Sequence, residues 1–219
     1  MSGKVPGLPA HTFPVIFAAP SGVGKTTIAR ELSARRNDVE FSISATTRPP
    51  RPTERDGTDY FFHTEAEFRS MIEAGELVEW AEVHGHLYGT PRRNLEEAAS
   101  RRHFLLLDID VQGSRQIKEA APEAVSIFVL PPSGSELAKR LAGRGSEDDA
   151  VRRRRLLASR AELRAAEEFD FIVVNEDLGA AVDAVERIIE TESLRSTRCI
   201  DLPGHIATLI EGVDEVLGA

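Results

Sequence analysis

The apolar run Val15-Ile16-Phe17-Ala18 leads directly into Ala19-Pro20-Ser21-Gly22-Val23-Gly24-Lys25-Thr26, and a helical pattern over Thr26–Arg36 follows at once. This junction constrains the fold more than any other feature of the chain. A strand ending in a glycine-rich turn that opens straight into a helix is the context a phosphate-binding loop requires. Gly22 and Gly24 let backbone N–H groups turn inward around phosphate oxygens, and the helix N-terminus adds its partial positive charge. Lys25 is placed to reach terminal phosphates, the Thr26 hydroxyl to ligate Mg²⁺, and Thr27 to complete the nucleotide-binding stretch. Ala19 stands where the strict pattern has glycine, but the flexible part of the loop is kept. An incidental turn before a helix would have to produce strand, Gly-Lys-Thr and helix together.

The rest of the chain repeats that alternation. Phe13–Ala18, Phe104–Leu107, Val125–Leu130 and Phe171–Val174 read as strands with apolar residues on both faces. Helical patterns cover Arg92–Arg102, Val111–Ala120, Gly134–Leu141, Asp148–Glu168 and Gly179–Leu194. Strands alternating with helices predict an α/β fold with a parallel sheet covered on both faces, of the P-loop NTPase type. From Phe41 to Tyr88 the rhythm breaks into a stretch rich in Thr, Pro, Arg and aromatics, with short alternating runs such as Asp59–His63. It reads as an inserted mixed α/β subdomain. Residues 134–164 carry nine basic and five acidic side chains, a local +4 in a chain of net −9. Toward the end, Leu202, Ile206, Leu209, Ile210, Val213, Val216 and Leu217 recur at helical spacing and predict a final amphipathic helix.

Composition narrows the class. With 219 residues and 41% apolar content the chain can bury a core without disulfides or a structural metal. Cys199 is the sole cysteine, so neither an intramolecular disulfide nor a cysteine-based zinc site can form, and a reducing compartment is the natural reading. The net charge of −9 argues against broad nucleic-acid binding. No apolar stretch approaches a membrane span, and the early run Val15–Ala19 is too short for a secretory segment. The expectation is a soluble cytoplasmic protein with no nucleic-acid or membrane partner; monomer and homo-oligomer both stay open.

Other residues narrow the chemistry. Asp108 closes the run Phe104-Leu105-Leu106-Leu107 at the C-terminal end of a buried strand, the edge where open α/β sheets bind ligands. It suits the hydration shell of Mg²⁺, or else the cap of the following helix. Asp110 to Gly113 fits the D-x-x-G pattern of switch GTPases, but no N-K-x-D guanine-reading motif accompanies it. Arg48-Pro49-Pro50-Arg51 puts two guanidinium forks on a proline-stiffened loop, with Tyr60 and Tyr88 nearby in sequence. Such a set suits a phosphate dianion; a solvated basic loop is the alternative. Glu79 sits in the otherwise apolar run Leu77–Val83. A carboxylate there could accept from guanine N1–H and N2–H₂, where adenine offers no matching pair, or could face water on the wet side of a strand. His84-Gly85-His86 alternates like a metal site but has no third ligand, and reads as structural or exposed.

Taken together these residues resemble the guanylate kinase family. The resemblance runs from about Phe13 to Leu194. It rests on Ser21-Gly22-Val23-Gly24-Lys25, Phe41-Ser42-Ile43-Ser44-Ala45-Thr46-Thr47-Arg48-Pro49-Pro50-Arg51, Gly57-Thr58-Asp59-Tyr60, Glu79-Trp80-Ala81, Tyr88-Gly89-Thr90, Leu107-Asp108-Ile109-Asp110-Val111-Gln112-Gly113, Leu141-Ala142-Gly143-Arg144-Gly145 and Val174-Asn175-Glu176-Asp177. Thr90 stands where serine is common, and Ala45 replaces a frequent second serine.

The resemblance implies ATP-dependent phosphorylation of GMP, or dGMP, with Mg²⁺. It implies that Ser44, Glu79, Thr90 and Asp110 read guanine, and that Arg48, Arg51, Tyr60 and Tyr88 hold the GMP phosphate, with Asp108 beside the substrates. Arg140, Arg144 and Arg155 would belong to a lid over the ATP phosphates, acting with Lys25 and Arg48 in catalysis, and Asn175 would lie near adenine. The implied division is a core of 13–43, 95–132 and 166–195, a GMP-binding subdomain of 44–94, a lid of 133–165 and a C-terminal helical extension of 196–219. Three rival readings fall short. A non-catalytic interaction module of the same fold does not account for an intact Gly24-Lys25-Thr26. A kinase for another small acceptor does not account for the guanine set, and a switch GTPase lacks its base-reading motif.

Overall fold

In the apolar run that opens the chain, Val15, Ile16, Phe17 and Ala18 are all fully buried, because β1 (Pro14–Ala18) lies at the centre of a five-stranded parallel sheet. The computed structural model describes residues 10–83, 85–142 and 149–218. The sheet has the order β2-β7-β1-β8-β9, with β2 Val39–Phe41, β7 Phe104–Asp108, β8 Val125–Leu130 and β9 Phe171–Val174. All four pairings are parallel. Helices cover both faces. Side chains of α1 (Lys25–Arg35) and α7 (Leu178–Ser193) pack with Val15, Phe17, Leu106 and Ile127 on one side. On the other, α3 (Arg92–Arg101) and α4 (Val111–Ala120) pack with Ile16, Leu105 and Leu107. The chain runs from β7 past β1 to β8, so the order reverses at the C-terminal end of β1. That switch point is where an open α/β sheet leaves a crevice.

Two expectations need correcting. The sheet has a fifth strand, β2, whose three residues are too few to give a periodic signal. And β9 is not buried on both faces: Ile172 and Val174 are about half exposed, because β9 is an edge strand paired only with β8. The helix expected over Asp148–Glu168 is described as α6 (Asp149–Arg164) followed by a 3₁₀ turn at Ala165–Glu168. Between β8 and α6 lies α5 (Gly134–Ala142). Among the described residues no helix is long and apolar enough to cross a membrane.

The inserted segment forms a second sheet, β4-β3-β6-β5, from β3 (Ala45–Thr46), β4 (Phe61–Phe62), β5 (Leu77–Val83) and β6 (His86–Pro91). The run Asp59–His63 contributes only the two residues of β4. One helix, α2 (Glu65–Glu73), starts on a capping box in which the Thr64 hydroxyl accepts from Glu67 N–H and the Glu67 carboxylate accepts from Thr64 N–H. Its Phe68 is fully buried with Ala45, Leu77 and Leu87 in a small core of the subdomain's own. A core this small has little to fall back on, so Phe68→Ala is expected to destabilise the protein by about 3 kcal/mol. Chemical denaturation checks this through a lowered midpoint.

Candidate functional site

The crevice at the switch point is closed on its far side by the second sheet. Lys25, Ser44, Tyr60, Glu79, Tyr88, Asp108 and Asp110 all line one cavity between them. On the floor, Gly24 ends the loop at φ 98°, a conformation that favours glycine, and no side chain caps the N-terminus of α1. The first amides of that helix are therefore open to an anion. A Cβ at Gly24 would lie 2.6 Å from Asn175 Nδ2. That amide is buried and donates to the Val23 carbonyl at 2.7 Å, tying the loop to the end of β9.

Asp108 binds both functional side chains of the loop. Its carboxylate lies 2.7 Å from Lys25 Nζ and accepts from Thr26 Oγ1 at 2.6 Å, while Lys25 also donates to the Ile109 carbonyl at 2.9 Å. Helix capping falls to Asp110 instead, which accepts from Gly113 N–H at 2.7 Å at the start of α4. Thr26 and Asp108 thus present a hydroxyl and a carboxylate oxygen side by side. That is an oxygen-only donor pair, which fits a hard divalent cation that keeps its other positions for water and phosphate.

Glu79 is not on a wet face. It is 4% exposed and accepts from Thr90 Oγ1 at 2.7 Å, its partner across β5 and β6. Burial pushes its carboxyl up to about 7; the Thr90 hydrogen bond opposes this and the charge of Asp110 adds to it. Two features that sequence alone does not single out place it there. The free edge of β5 is satisfied by Gln116 of α4, which accepts from Trp80 N–H at 3.2 Å and donates to the Trp80 carbonyl at 2.8 Å. Facing Glu79, Gly113 leaves room that a side chain would fill, since its Cβ would stand 2.6 Å from Glu79 Oε2.

Further along the same wall, Tyr60 and Tyr88 meet edge to face at 6.0 Å. Burial, with the charge of Asp108, raises Tyr60, so its hydroxyl stays a donor. Arg48 lies over the Tyr60 ring, donates to Tyr88 Oη at 3.1 Å, and is held by both oxygens of Glu54 at 2.8 and 2.9 Å. Glu54 also accepts from Arg51 N–H at 2.8 Å, although the Arg51 side chain is itself exposed. Glu54 is therefore a part of the arginine loop that reading for cations alone overlooks. Arg140 points at the phosphate loop, donating to the carbonyls of Val23 and Asn175 at 3.2 and 3.3 Å. Arg155 is half-buried on α6, with Arg153 and Arg154 exposed beside it. Arg144 and His84 lie outside the described residues.

A phosphate loop at the head of a parallel sheet, facing a second sheet across one cavity, is the architecture of a phosphotransferase of the nucleoside monophosphate kinase type. Comparison with known proteins then narrows the class. The family model for guanylate kinase matches residues 11–192. The chain is 48% identical to the guanylate kinase of Myxococcus xanthus, over 84% of this chain and 88% of that one. It is 45% identical to that of Geobacter sulfurreducens, over 89% and 96%. The crystal structure of guanylate kinase from Anaplasma phagocytophilum superimposes with a TM-score of 0.77 at 33% identity, covering 91% of this chain and 95% of that one. The chain belongs to the guanylate kinase family.

The raised Glu79 carboxyl carries a stability signature. A folded value near 7, above the ordinary 4.5, stabilises the fold fully below about pH 4.5, and that contribution disappears as pH rises through about 7. Glu79→Gln carries no such titration. Relative to wild type, its stability should improve by about 3 kcal/mol between pH 4.5 and 8. Denaturant melts of both proteins across that range check it; parallel pH profiles would refute the buried carboxyl.

Proposed function

We propose that the cleft between the two sheets aligns ATP and GMP for direct in-line transfer of the γ-phosphoryl group, giving ADP and GDP. ATP-dependent phosphorylation of GMP to GDP is the reaction of the family to which the chain belongs. The observation that carries the division of labour is that one cavity joins an uncapped phosphate loop to a buried carboxyl at Glu79.

Position in the cleft and membership of the family support the roles that follow. Lys25 and the amides at the start of α1 hold the ATP phosphates, with residues Ala19 to Thr27 around them. Thr26 and Asp108 would hold Mg²⁺, which would supply charge neutralisation at the phosphates. Glu79, with Ser44, Thr90 and Asp110, reads guanine: its carboxylate accepts from N1–H and N2–H₂. Tyr60, Tyr88 and Arg48, with Arg51 from the rim, hold the GMP phosphate and aim one of its oxygens at the γ-phosphorus. As that bond forms, the bond from γ-phosphorus to the bridging oxygen of ADP breaks. No phospho-enzyme is needed, because phosphoryl transfer calls for alignment, charge neutralisation and exclusion of water. Arg140 and Arg155, with Arg144, close a lid of 133–165 over the donor phosphates, and the subdomain of 44–94 closes over GMP. Asn175 secures the loop through the Val23 carbonyl and lies near adenine. A cytoplasmic location, where both nucleotides are supplied, suits this reading.

Two experiments test it. With MgATP, ADP release is expected with GMP and not with AMP, UMP or CMP, and Lys25→Ala should cut turnover about a thousandfold with GMP affinity kept. Undiminished turnover in that variant would sink the assignment of Lys25. Guanine binding needs the ionised Glu79, so the KM for GMP should fall as pH rises through about 7. In Glu79→Gln that dependence should vanish, with KM raised on the order of tenfold or more. An unchanged KM would remove Glu79 from the guanine site.

A further inference from the structure

Beyond the residues matched by the family model, the chain continues into α8 (Leu202–Leu217). Its base is well anchored. Arg198 stacks over Phe13 at 3.8 Å and bonds the buried Glu192 at 3.2 Å, and its carbonyl accepts from His11 N–H at 2.8 Å. Asp201 caps the helix by accepting from Gly204 N–H, and Pro203 lies in the first turn. The helix itself is unsupported: from Ile206 to Gly218 every residue is exposed.

What it exposes is an ordered stripe. Leu202, Ile206, Leu209, Val213 and Val216 recur at spacings of four, three, four and three, the heptad seam of a coiled coil. Ile210 and Leu217 widen it on one flank, and all seven side chains fall within about 120° of the helix circumference. The six from Ile206 onward are 46% to 88% exposed. Nothing described in the chain covers them.

We propose that α8 is a self-association surface that pairs antiparallel with α8 of a second copy across a two-fold axis. The area is right: burying the six side chains removes on the order of 700 Å² per copy, against about 800 Å² per partner in a standard interface. The charge pattern also fits. Glu211, Asp214 and Glu215 lie away from the seam, as does Thr208, and the positions that flank it carry Ile210, Leu217, His205 and Gly212. A like pair therefore meets without apposed charges. A lipid surface fits poorly, because the polar face is acidic and holds no Lys or Arg. Antiparallel pairing opposes the two helix dipoles and sets the bodies at opposite ends of a rod about 24 Å long. Parallel pairing would crowd both bodies at one end, with helix axes about 10 Å apart.

Sedimentation of the full chain from about 1 µM to about 200 µM tests the pairing. A seam of two heptads predicts dimerisation on the order of tens of micromolar. Leu209→Asp should abolish it and Val213→Ala weaken it about tenfold, since alanine keeps the helix but loses buried area. Glu211→Lys, on the far face, should leave it intact, and turnover of all three variants should match wild type. A monomer at every concentration, or a dimer indifferent to Leu209→Asp, overturns the proposal. A monomer that floats with phosphatidylcholine vesicles would assign the stripe to lipid and also overturn it.

Discussion

The carboxylate of Asp108 is the point on which the cleft is built. It joins the ammonium and hydroxyl of the phosphate loop to the end of a neighbouring strand. That contact exists because β1 and β7 pair in parallel with Phe17 opposite Asp108. A one-residue slip would turn Asp108 to the other face of the sheet and leave Lys25 without its partner. The register is held by apolar side chains on both faces, Ile16 and Leu107 toward α4 and Phe17 and Leu106 toward α1. Core packing thus sets the geometry of the polar site.

The second wall depends on a costly arrangement. A carboxyl buried beside another acid costs stability once ionised, and Glu79 is held there by the Thr90 hydroxyl, by the space left at Gly113 and by the Gln116 clasp on β5. The raised carboxyl is the measure of that cost, and a ligand presenting paired N–H donors offsets it. On the proposed reading, discrimination follows because a base without those donors leaves the buried carboxylate with only the Thr90 hydroxyl among its described partners. Asp110 serves both purposes, capping α4 through Gly113 N–H and raising its neighbour through charge.

Much of this was legible in the sequence wherever chemistry and spacing coincide within a few residues. The phosphate loop, the strand ending at Asp108, the arginine pair and the carboxylate in an apolar run all announce themselves locally. What was not legible are partners far apart in the chain. The Asn175 tie to Val23 spans 152 residues and the Gln116 clasp on Trp80 spans 36, and neither residue type signals such a role. Glu54 lies close to Arg48, but an acid in a basic loop reads as solvation until its two-oxygen grip is seen. Strand β2 is missed because three residues define no period, and the open face of β9 because edge position is a property of the sheet rather than of the strand.

The two sheets are joined in a manner suited to their work. Each has its own buried cluster, and the ties between them run through α4 and β5 and through the Arg30–Asp59 ion pair at 2.9 Å. Val78 packs on the α3 and α4 side of the core, Gln116 clasps Trp80, and Asn94 donates to Ser42 Oγ and the Ile43 carbonyl, both at 2.9 Å, where the chain crosses between sheets. Hydrogen bonds of this kind contribute about 1 kcal/mol each and can be exchanged with water, whereas exposing Phe68 or Phe17 would cost several times more. The movement that the proposed reaction calls for would draw on these polar ties and on the Val78 contact, and would leave the interior of both cores in place. Phosphoryl transfer needs water out and substrates in, and on the proposed reading a cleft between two separately packed sheets serves both needs.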